Sequence, residues 1–187
     1  MDYRRNEDMR INGNTGANYN CVYDVYFIEG SVEPTEPVTR AEALAHCIID
    51  DLGQDNSIVD AFITAARQQC EAFTGIGFIN REIQATINNT CGNIYLPYGP
   101  VTDVTTVTDA DGNEQTYKLR GASFKSISEP LQDNLIVNYT AGYTELPQVL
   151  KTALLQQIAY LYQHRGDEDK GELSQVAKSL LKPFKRV

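Results

Sequence analysis

The segment 135–164, LIVNYTAGYTELPQVLKTALLQQIAYLYQH, contains the two periodicities that decide the fold. Its first five residues form a short apolar and aromatic run, which is typical of a strand that ends before Gly142. After Pro147, a residue favoured in the first turn of a helix, apolar side chains recur every three or four positions. A strand followed by a long helix within one segment indicates an α+β fold.

The long helix predicted after Pro147 carries a broad apolar surface. One stripe runs along it, and three further side chains widen that stripe. The stripe consists of Leu150, Leu154, Ile158 and Leu161, and the widening residues are Leu155, Ala159 and Tyr162. Such a surface suits a helix that packs on more than one side.

Two shorter helices are predicted upstream of this segment. Thr39 and Glu42 have the spacing of a capping box, which opens the first helix. The second helix runs over about residues 57–73, where apolar positions follow a helical repeat, and Gly75 stands where a left-handed C-cap is expected.

Between the second helix and the long helix, the pattern changes to that of strands. Ile83, Ala85 and Ile87 alternate with polar residues, and a threonine-rich strand follows over 101–107. Asp111-Gly112 then predicts a tight turn, since these residues tolerate positive φ. The segment 109–114 starts like a calcium loop, but its glycine is fourth rather than sixth and its flanks read as strands.

The whole pattern predicts an α+β, mainly helical fold. The order is helix pair, small antiparallel β insert at about 79–140, long helix, short C-terminal helix and an extended tail at about 179–187. Residues 1–33 form an N-terminal arm with a strand expected over 21–29, and 34–187 form the main domain. Residues 1 to about 20 of this arm are expected to be disordered in a free subunit, because they include few apolar side chains.

Charge and composition narrow the function classes. The net charge of −9 argues against a protein that grips nucleic acid over its whole surface. Residues 174–187 nevertheless carry four cations and no acid, which suggests a dedicated acidic partner for this end. No apolar run is long enough for a membrane span, and the first ten residues do not resemble a secretory signal.

The chain offers no convincing catalytic or metal site. Its four cysteines lack the close spacing of zinc ligands, and we expect Cys47 and Cys70 to be small buried hydrophobes. His164 is better explained as a cation near a helix C-terminus than as a general base, because no nucleophile motif accompanies it. His46 lies near the end of the first helix without ligand neighbours. We therefore expect no enzyme activity and no cofactor.

Several short phrases, in their order and spacing, resemble the head–tail connector, or head-completion adaptor, proteins of long-tailed phages. The likeness covers roughly residues 37–186 and leaves out the arm. The phrases lie at 37–39, 49–51, 60–67, 71–75, 96–112, 137–147, 162–165 and 180–186. No single phrase is specific; their order is.

The resemblance implies a structural virion protein, assembled in the host cytoplasm, that forms a ring (a dodecamer) at the head–tail junction. Its partners would be the portal protein, a tail or stopper protein and further copies of itself. Double-stranded DNA would pass through the lumen without specific binding, which an acidic body favours.

Three sets of site residues follow from this reading. The portal-binding set at the C-terminus is Leu180, Leu181, Lys182, Pro183, Phe184, Lys185 and Arg186. The tail-side set, on the polar turn of the β insert, is Asp109, Asp111, Gly112 and Asn113. The intersubunit set, on the long helix, is Leu155, Ala159 and Tyr162.

The alternative is a non-viral α+β binding or regulatory domain without catalysis, which would share only the order of helices and strands. Particle mass separates the two classes, because the alternative predicts a monomer or dimer. Host, tail type, ring stoichiometry, the tail-side partner and the role of the arm stay open at this point.

Overall fold

The computed structural model describes residues 22–27, 35–48, 56–88, 93–128, 134–166 and 172–186. These residues belong to two compact units. The helical unit consists of Thr35–Ile79 and Tyr143–Arg186, and the β unit contains Asn80–Gly142 together with the strand near residue 25. The predicted arm before residue 22 lies outside the described residues.

The helical unit contains the four predicted helices. They are α1 (Arg40–Cys47), α2 (Asn56–Thr74), α3 (Gln148–Gln163) and α4 (Gln175–Leu181). The predicted capping box is confirmed, since the Thr39 hydroxyl accepts from the Glu42 N–H and the Glu42 carboxylate accepts from the Thr39 N–H. Gly75 has a φ of 70°, as a left-handed helix end requires.

The end of the chain differs from the extended tail expected from the sequence. Lys182–Phe184 continue α4 as a 3₁₀ turn, and Lys185 is the first extended residue after it. Pro183 fits this turn because a proline near the start of a helical turn gives up an N–H that would otherwise lack a partner.

The core of the helical unit is built around α3. The stripe predicted from the sequence is confirmed at Leu150, Leu154 and Ile158, which are at most 1% exposed. Ala153 lies on the same side, and Cys70 of α2 packs in the same cluster as a buried hydrophobe. Each large side chain buried in this way contributes about 1.5–3 kcal/mol.

The described part of the β unit contains seven strands in two antiparallel sheets. They are β1 (Val22–Phe27), β2 (Arg81–Asn88), β3 (Asn93–Tyr95), β4 (Val101–Thr108), β5 (Lys118–Arg120), β6 (Ser126–Ser128) and β7 (Leu135–Ala141). The first sheet has the order β1-β2-β7-β4, and the second has the order β3-β6-β5. The strand expected over 21–29 is therefore β1, and it pairs with β2.

Alternation along β2 and β7 produces the core of this unit. Ile83, Ala85 and Ile87 are buried on β2, as their spacing predicts, and they lie beside Val137 and Tyr139 of β7. The fold is thus α+β, but the expectation that it is mainly helical is not confirmed. Short strands such as β3, β5 and β6 carry too few residues to show a clear period of two.

Candidate docking surfaces

The C-terminal segment, residues 180–186, was predicted to bind a portal, and its side chains divide into two groups. Leu181 is fully buried, and Leu180 and Phe184 pack partly buried against the core of the helical unit. Lys182, Pro183, Lys185 and Arg186 are exposed. The apolar members hold the segment in place, and the exposed members present positive charge and a rigid proline to the surroundings.

Two contacts seat the end of this segment on the last turn of α2. The backbone N–H of Arg186 donates to the carbonyl oxygen of Thr74 at 2.8 Å, and the Lys185 ammonium lies 5.2 Å from the centroid of the Phe73 ring. The last carbonyls of a helix have no partner within it. The C-terminal segment therefore completes the end of α2.

A buried ion-pair network stiffens that end. The guanidinium of Arg67 binds Glu36 at 2.8 Å and Glu71 at 2.9 Å, and the second oxygen of Glu71 accepts the N–H of Phe78 at 2.7 Å. Arg67 and Glu71 are only 6% and 3% exposed. Burial by itself lowers the pKa of Arg67, but the hydrogen bonds and charges of Glu36 and Glu71 outweigh it and raise that pKa.

Sequence reasoning missed this network. Arg67 and Glu71 have the four-residue spacing of a helical ion pair, which is a usable signal. Glu36 lies 31 residues before Arg67, so no local pattern connects them.

The tight turn predicted around Gly112 is confirmed, since the Gly112 N–H donates to the Asp109 carbonyl oxygen at 3.1 Å. Asp109 Oδ1 accepts the backbone N–H groups of Asp111 at 3.0 Å and Asn113 at 2.9 Å. Hydrogen bonds from Asn113, first of all its backbone N–H, hold the pKa of Asp109 below its usual range. The Asp109 carboxylate thus shapes the turn.

The tip of the turn is open to partners. Gly112 has a φ of +87°, and a Cβ added there would meet nothing within 4 Å. Asp111, Gly112 and Asn113 are exposed, whereas Asp109 is buried beneath them. The structure also differs from a simple hairpin, because β4 before the turn and β5 after it belong to different sheets.

The three residues predicted to lie between subunits are all half-buried on α3. Leu155 and Tyr162 pack partly against the core, and the Tyr162 ring meets Phe62 edge-on with centroids 6.3 Å apart. Ala159 is half-buried without belonging to that packed set. Leu155 and Ala159 are four residues apart, so they lie on one side of the helix.

Two residues weighed for chemistry, His164 and Cys70, lie at the end of α3 and within α2. His164 lies near the C-terminus of α3, where it was expected, and its backbone N–H donates to the Tyr160 carbonyl oxygen. Burial, with a smaller contribution from the charge of Glu71, raises the pKa of the Cys70 thiol to about 12. Within the described ranges, no group of three or more His, Cys, Asp or Glu side chains is placed to hold a metal ion. The helices described there are too short or too polar to cross a membrane.

The portal-binding and intersubunit sets both lie in the helical unit, and the tail-side set lies in the β unit.

Chains from gene transfer agent (GTA) particles have a similar fold. A chain from the neck of the empty GTA particle, computed with C6 symmetry, superposes with a TM-score of 0.71 at 21% identity, over 87% of this chain and 95% of that one. A chain from the virion of the native GTA particle gives 0.70 at 21% identity with the same coverage. A chain from the neck of the native particle, computed with C12 symmetry, gives 0.59 at 19% identity, over 83% and 96%.

The similarity extends over nearly the whole of those chains, so the shared fold includes both units. No protein-family profile and no curated protein sequence matches this chain. At about one-fifth identity, the likeness establishes the architecture, α+β with two units, and function has to be argued from it.

Proposed function

We propose that this chain is a structural protein of the neck of a phage-like particle, where it forms a ring adaptor between the portal vertex and the tail. The observation that carries the proposal is the fold shared, over 87% of the chain, with a protein of the GTA neck. The independent order of sequence phrases that resembles head–tail connectors supports the same assignment.

Ring formation is the first part of the proposal. Two of the similar structures are necks computed with C6 and C12 symmetry. A closed ring needs two different patches on each subunit that fit one another. The half-buried surface of α3 around Leu155 and Ala159 supplies one apolar patch, and we propose a dodecamer.

A net charge of −9 suits a lumen through which DNA slides, because tight binding would need cationic side chains that contact the phosphates.

Portal binding is the second part. The exposed residues Lys182, Pro183, Lys185 and Arg186 form a small cationic surface that the buried Leu181 holds in a fixed place. A cationic surface on an acidic protein attracts an acidic partner in a salt-dependent manner.

The turn around Gly112 is proposed as the contact for the tail or stopper protein, since projecting polar turns commonly carry binding residues. Shortening 109–115 to a minimal turn should leave rings intact and prevent tail attachment.

The decisive experiment mixes the purified protein with the portal protein of the same particle. The variant Lys182→Glu reverses one exposed charge, and Lys182→Glu/Lys185→Glu/Arg186→Glu reverses the whole cationic surface while it keeps Phe184 in its packed position. We expect the first to weaken portal binding about tenfold and the second to abolish it, because a rim charge steers association. Gln175→Glu, exposed at the start of the same helix, is the matched control and should bind like the wild type.

Particle mass and electron microscopy of the mixture complete the test. The adaptor should appear as a ring on the portal. A protein that stays monomeric or dimeric, ignores the portal and is unaffected by both variants would instead be the non-viral binding or regulatory domain.

A further inference from the structure

The described strands form four sheet edges, and three of these edges are protected against pairing with another chain. β4 has two register shifts against β7, and the chain covers its start, where the Val101 N–H donates to the Ser123 carbonyl oxygen at 2.7 Å. β3 and β5 are only three residues long, and β5 carries Lys118 and Arg120. Bulges, very short strands and charged side chains are the devices that protect an edge.

β1 is the edge without these devices. It is six residues long and pairs with β2 in one unbroken register from Val22 to Phe27. Its sequence, VYDVYF, contains no lysine, arginine, proline or glycine and consists mainly of residues that favour strands. Among the described residues, its backbone makes no hydrogen bond apart from the ladder with β2. Its outer side therefore offers a row of N–H and C=O groups to a further strand.

The N-terminal arm contains a segment with the pattern of such a strand. Residues 1–20 lie outside the described residues, and their sequence alone is used. Tyr3, Met9 and Ile11 are separated by even numbers of residues, so they would share one face of an extended chain. The residues at even positions between them are all polar: Arg4, Asn6, Asp8 and Arg10. Segment 3–11 thus has one face with apolar side chains towards both ends and one polar face, as a half-buried strand has.

The ten residues that join this segment to β1, residues 12–21, favour a contact with another copy. They include four asparagines and two glycines, which is the composition of a flexible linker. A hairpin that returned the segment to the β1 of its own chain would need only about two to five residues. Ten extended residues can span about 35 Å. The linker is therefore longer than a hairpin requires and long enough to reach an adjacent subunit.

We propose that residues 3–11 of one copy pair with the outer edge of β1 in a neighbouring copy and add a fifth strand to its sheet. The backbone ladder supplies the affinity, and Tyr3, Met9 and Ile11 supply apolar contacts. The β1 strand of a second copy fits less well, because two identical edges that pair give a twofold dimer rather than a ring. That copies stand side by side in a ring rests on the proposed function; the recognition of β1 by segment 3–11 does not.

The first experiment measures this recognition in the free, full-length protein. A fluorescent peptide of residues 1–11 should bind saturably, as measured by fluorescence anisotropy. One control peptide has Met9 and Arg10 exchanged, which moves an apolar side chain to the polar face. The other has N-methyl groups on the amides of Asp8 and Met9, which removes backbone donors. Both controls should bind at least about tenfold more weakly.

The second experiment identifies the copy that donates the strand. Full-length protein with photoreactive benzoylphenylalanine in place of Tyr3 is mixed with an equal amount of isotope-labelled wild type and assembled on the portal protein. Mass spectrometry after irradiation should find residue 3 of unlabelled copies joined to residues 22–27 of labelled copies. The same photoreactive residue in place of Tyr95, which is 57% exposed on β3, is the matched control and should give no product with β1.

Two variants of the photoreactive protein test the apolar face. Met9→Lys/Ile11→Lys should lower the yield of the cross-link at least about tenfold, because charges would replace the apolar contacts. Asn12→Lys/Asn14→Lys makes the same change in net charge within the linker and should leave the yield unchanged.

Several results would overturn the proposal. They are no binding of the peptide, equal binding of either control peptide, and cross-links from residue 3 to places other than residues 22–27. Cross-links found only within single copies would show that the arm covers its own β1. Dimers of the free protein that excess peptide dissociates would assign the edge to the β1 of a second copy.

The two experiments separate this contact from the proposed function. Binding of the peptide without any ring on the portal would contradict the ring adaptor and leave the contact standing. Rings on the portal without the cross-link to residues 22–27 would do the opposite.

Discussion

At the residue scale, the helical unit depends on a few polar groups whose bonds are made inside the fold. Glu71 is the clearest case, because its two oxygens bind Arg67 and the N–H of Phe78 while only 3% of the residue is exposed. A buried charge that loses its partner costs far more free energy than an exposed one. The bonds of Glu71 join α2 to the segment that follows it.

Glu71→Ala should therefore lower the free energy of unfolding by about 3–5 kcal/mol, since it removes an acceptor from Arg67 and from the Phe78 N–H. Glu71→Gln should cost less, because its amide oxygen can still accept from Phe78. Urea denaturation measures both. The control is Glu145→Ala, which removes an exposed carboxylate of the same unit and should change stability by no more than about 0.5 kcal/mol. A Glu71→Ala protein as stable as the control would show that the network contributes nothing.

Glu42 predicts a specific dependence of stability on pH. Its carboxylate accepts from Lys151 at 2.5 Å and from Thr39, and these hydrogen bonds, that of Lys151 first, lower its pKa from 4.5 to about 2. Because folding lowers this pKa, the ionised carboxylate stabilises the folded protein at pH values above its unfolded pKa of 4.5. That stabilisation is lost as the pH falls towards 2.

Glu42→Gln keeps an acceptor for Thr39 but loses the ion pair. At pH 7 we expect its melting temperature to be about 1–4 °C lower than that of the wild type, a small effect because the pair is partly exposed. The difference should shrink between pH 4.5 and pH 2, as the wild-type carboxylate is protonated. A difference that is constant across this range would contradict the assignment of the pKa shift to the Lys151 pair.

At the element scale, α4 is attached through one buried polar side chain of α3. Gln157 is completely buried; its amide nitrogen donates to Gln69 of α2 at 2.7 Å, and its oxygen accepts the N–H of Ser174 at 2.8 Å. Ser174 is the N-cap of α4. The start of the helix that leads into the proposed portal surface is thus positioned from α3.

Gln157→Leu should destabilise the protein by about 2–3 kcal/mol, because the Ser174 N–H would be buried without an acceptor. Hydrogen exchange should accelerate at Ala177 and Lys178, whose amides donate to the N-cap Ser174, more than in β2 or β7. Gln156→Leu, half-buried on the same helix, is the matched control. Equal exchange in both variants would mean that α4 is held by its apolar contacts alone.

At the scale of the whole molecule, the described residues separate into a helical and a β unit with separate cores. The proposed ring contact on α3 belongs to the helical unit, and the proposed tail contact around Gly112 belongs to the β unit. Different surfaces on one subunit are what a stack of rings requires, because each subunit must meet copies of itself as well as other proteins.

Ala159 is the cleanest residue with which to test the ring, since Leu155 and Tyr162 also pack within their own subunit. Ala159→Arg should leave the circular dichroism spectrum unchanged and prevent ring formation on the portal, because a charge would be forced into an apolar contact. Gln68→Arg, exposed on α2, should form rings normally. Rings of Ala159→Arg seen by electron microscopy would remove α3 from the interface.

The sequence by itself determined the features that depend on neighbouring residues. Four features were predictable, because a cap, a positive φ or a helical period needs only local spacing. They are the capping box at Thr39, the glycine after α2, the stripe on α3 and the tight turn at Gly112. The α+β class followed from the same periods. The sequence also predicted the strand β1, but it did not predict that β1 pairs with β2.

Only the tertiary structure decided which distant groups meet. The division into two sheets separates β4 from β5 although one turn joins them, because strands pair according to which faces can be buried together. Glu36 reaches Arg67, and Gln157 reaches Ser174, through packing that no local pattern encodes. The C-terminal segment, expected to be extended, folds back because Leu181 and Phe184 bury apolar surface in the core of the helical unit and the Thr74 carbonyl oxygen accepts the Arg186 N–H.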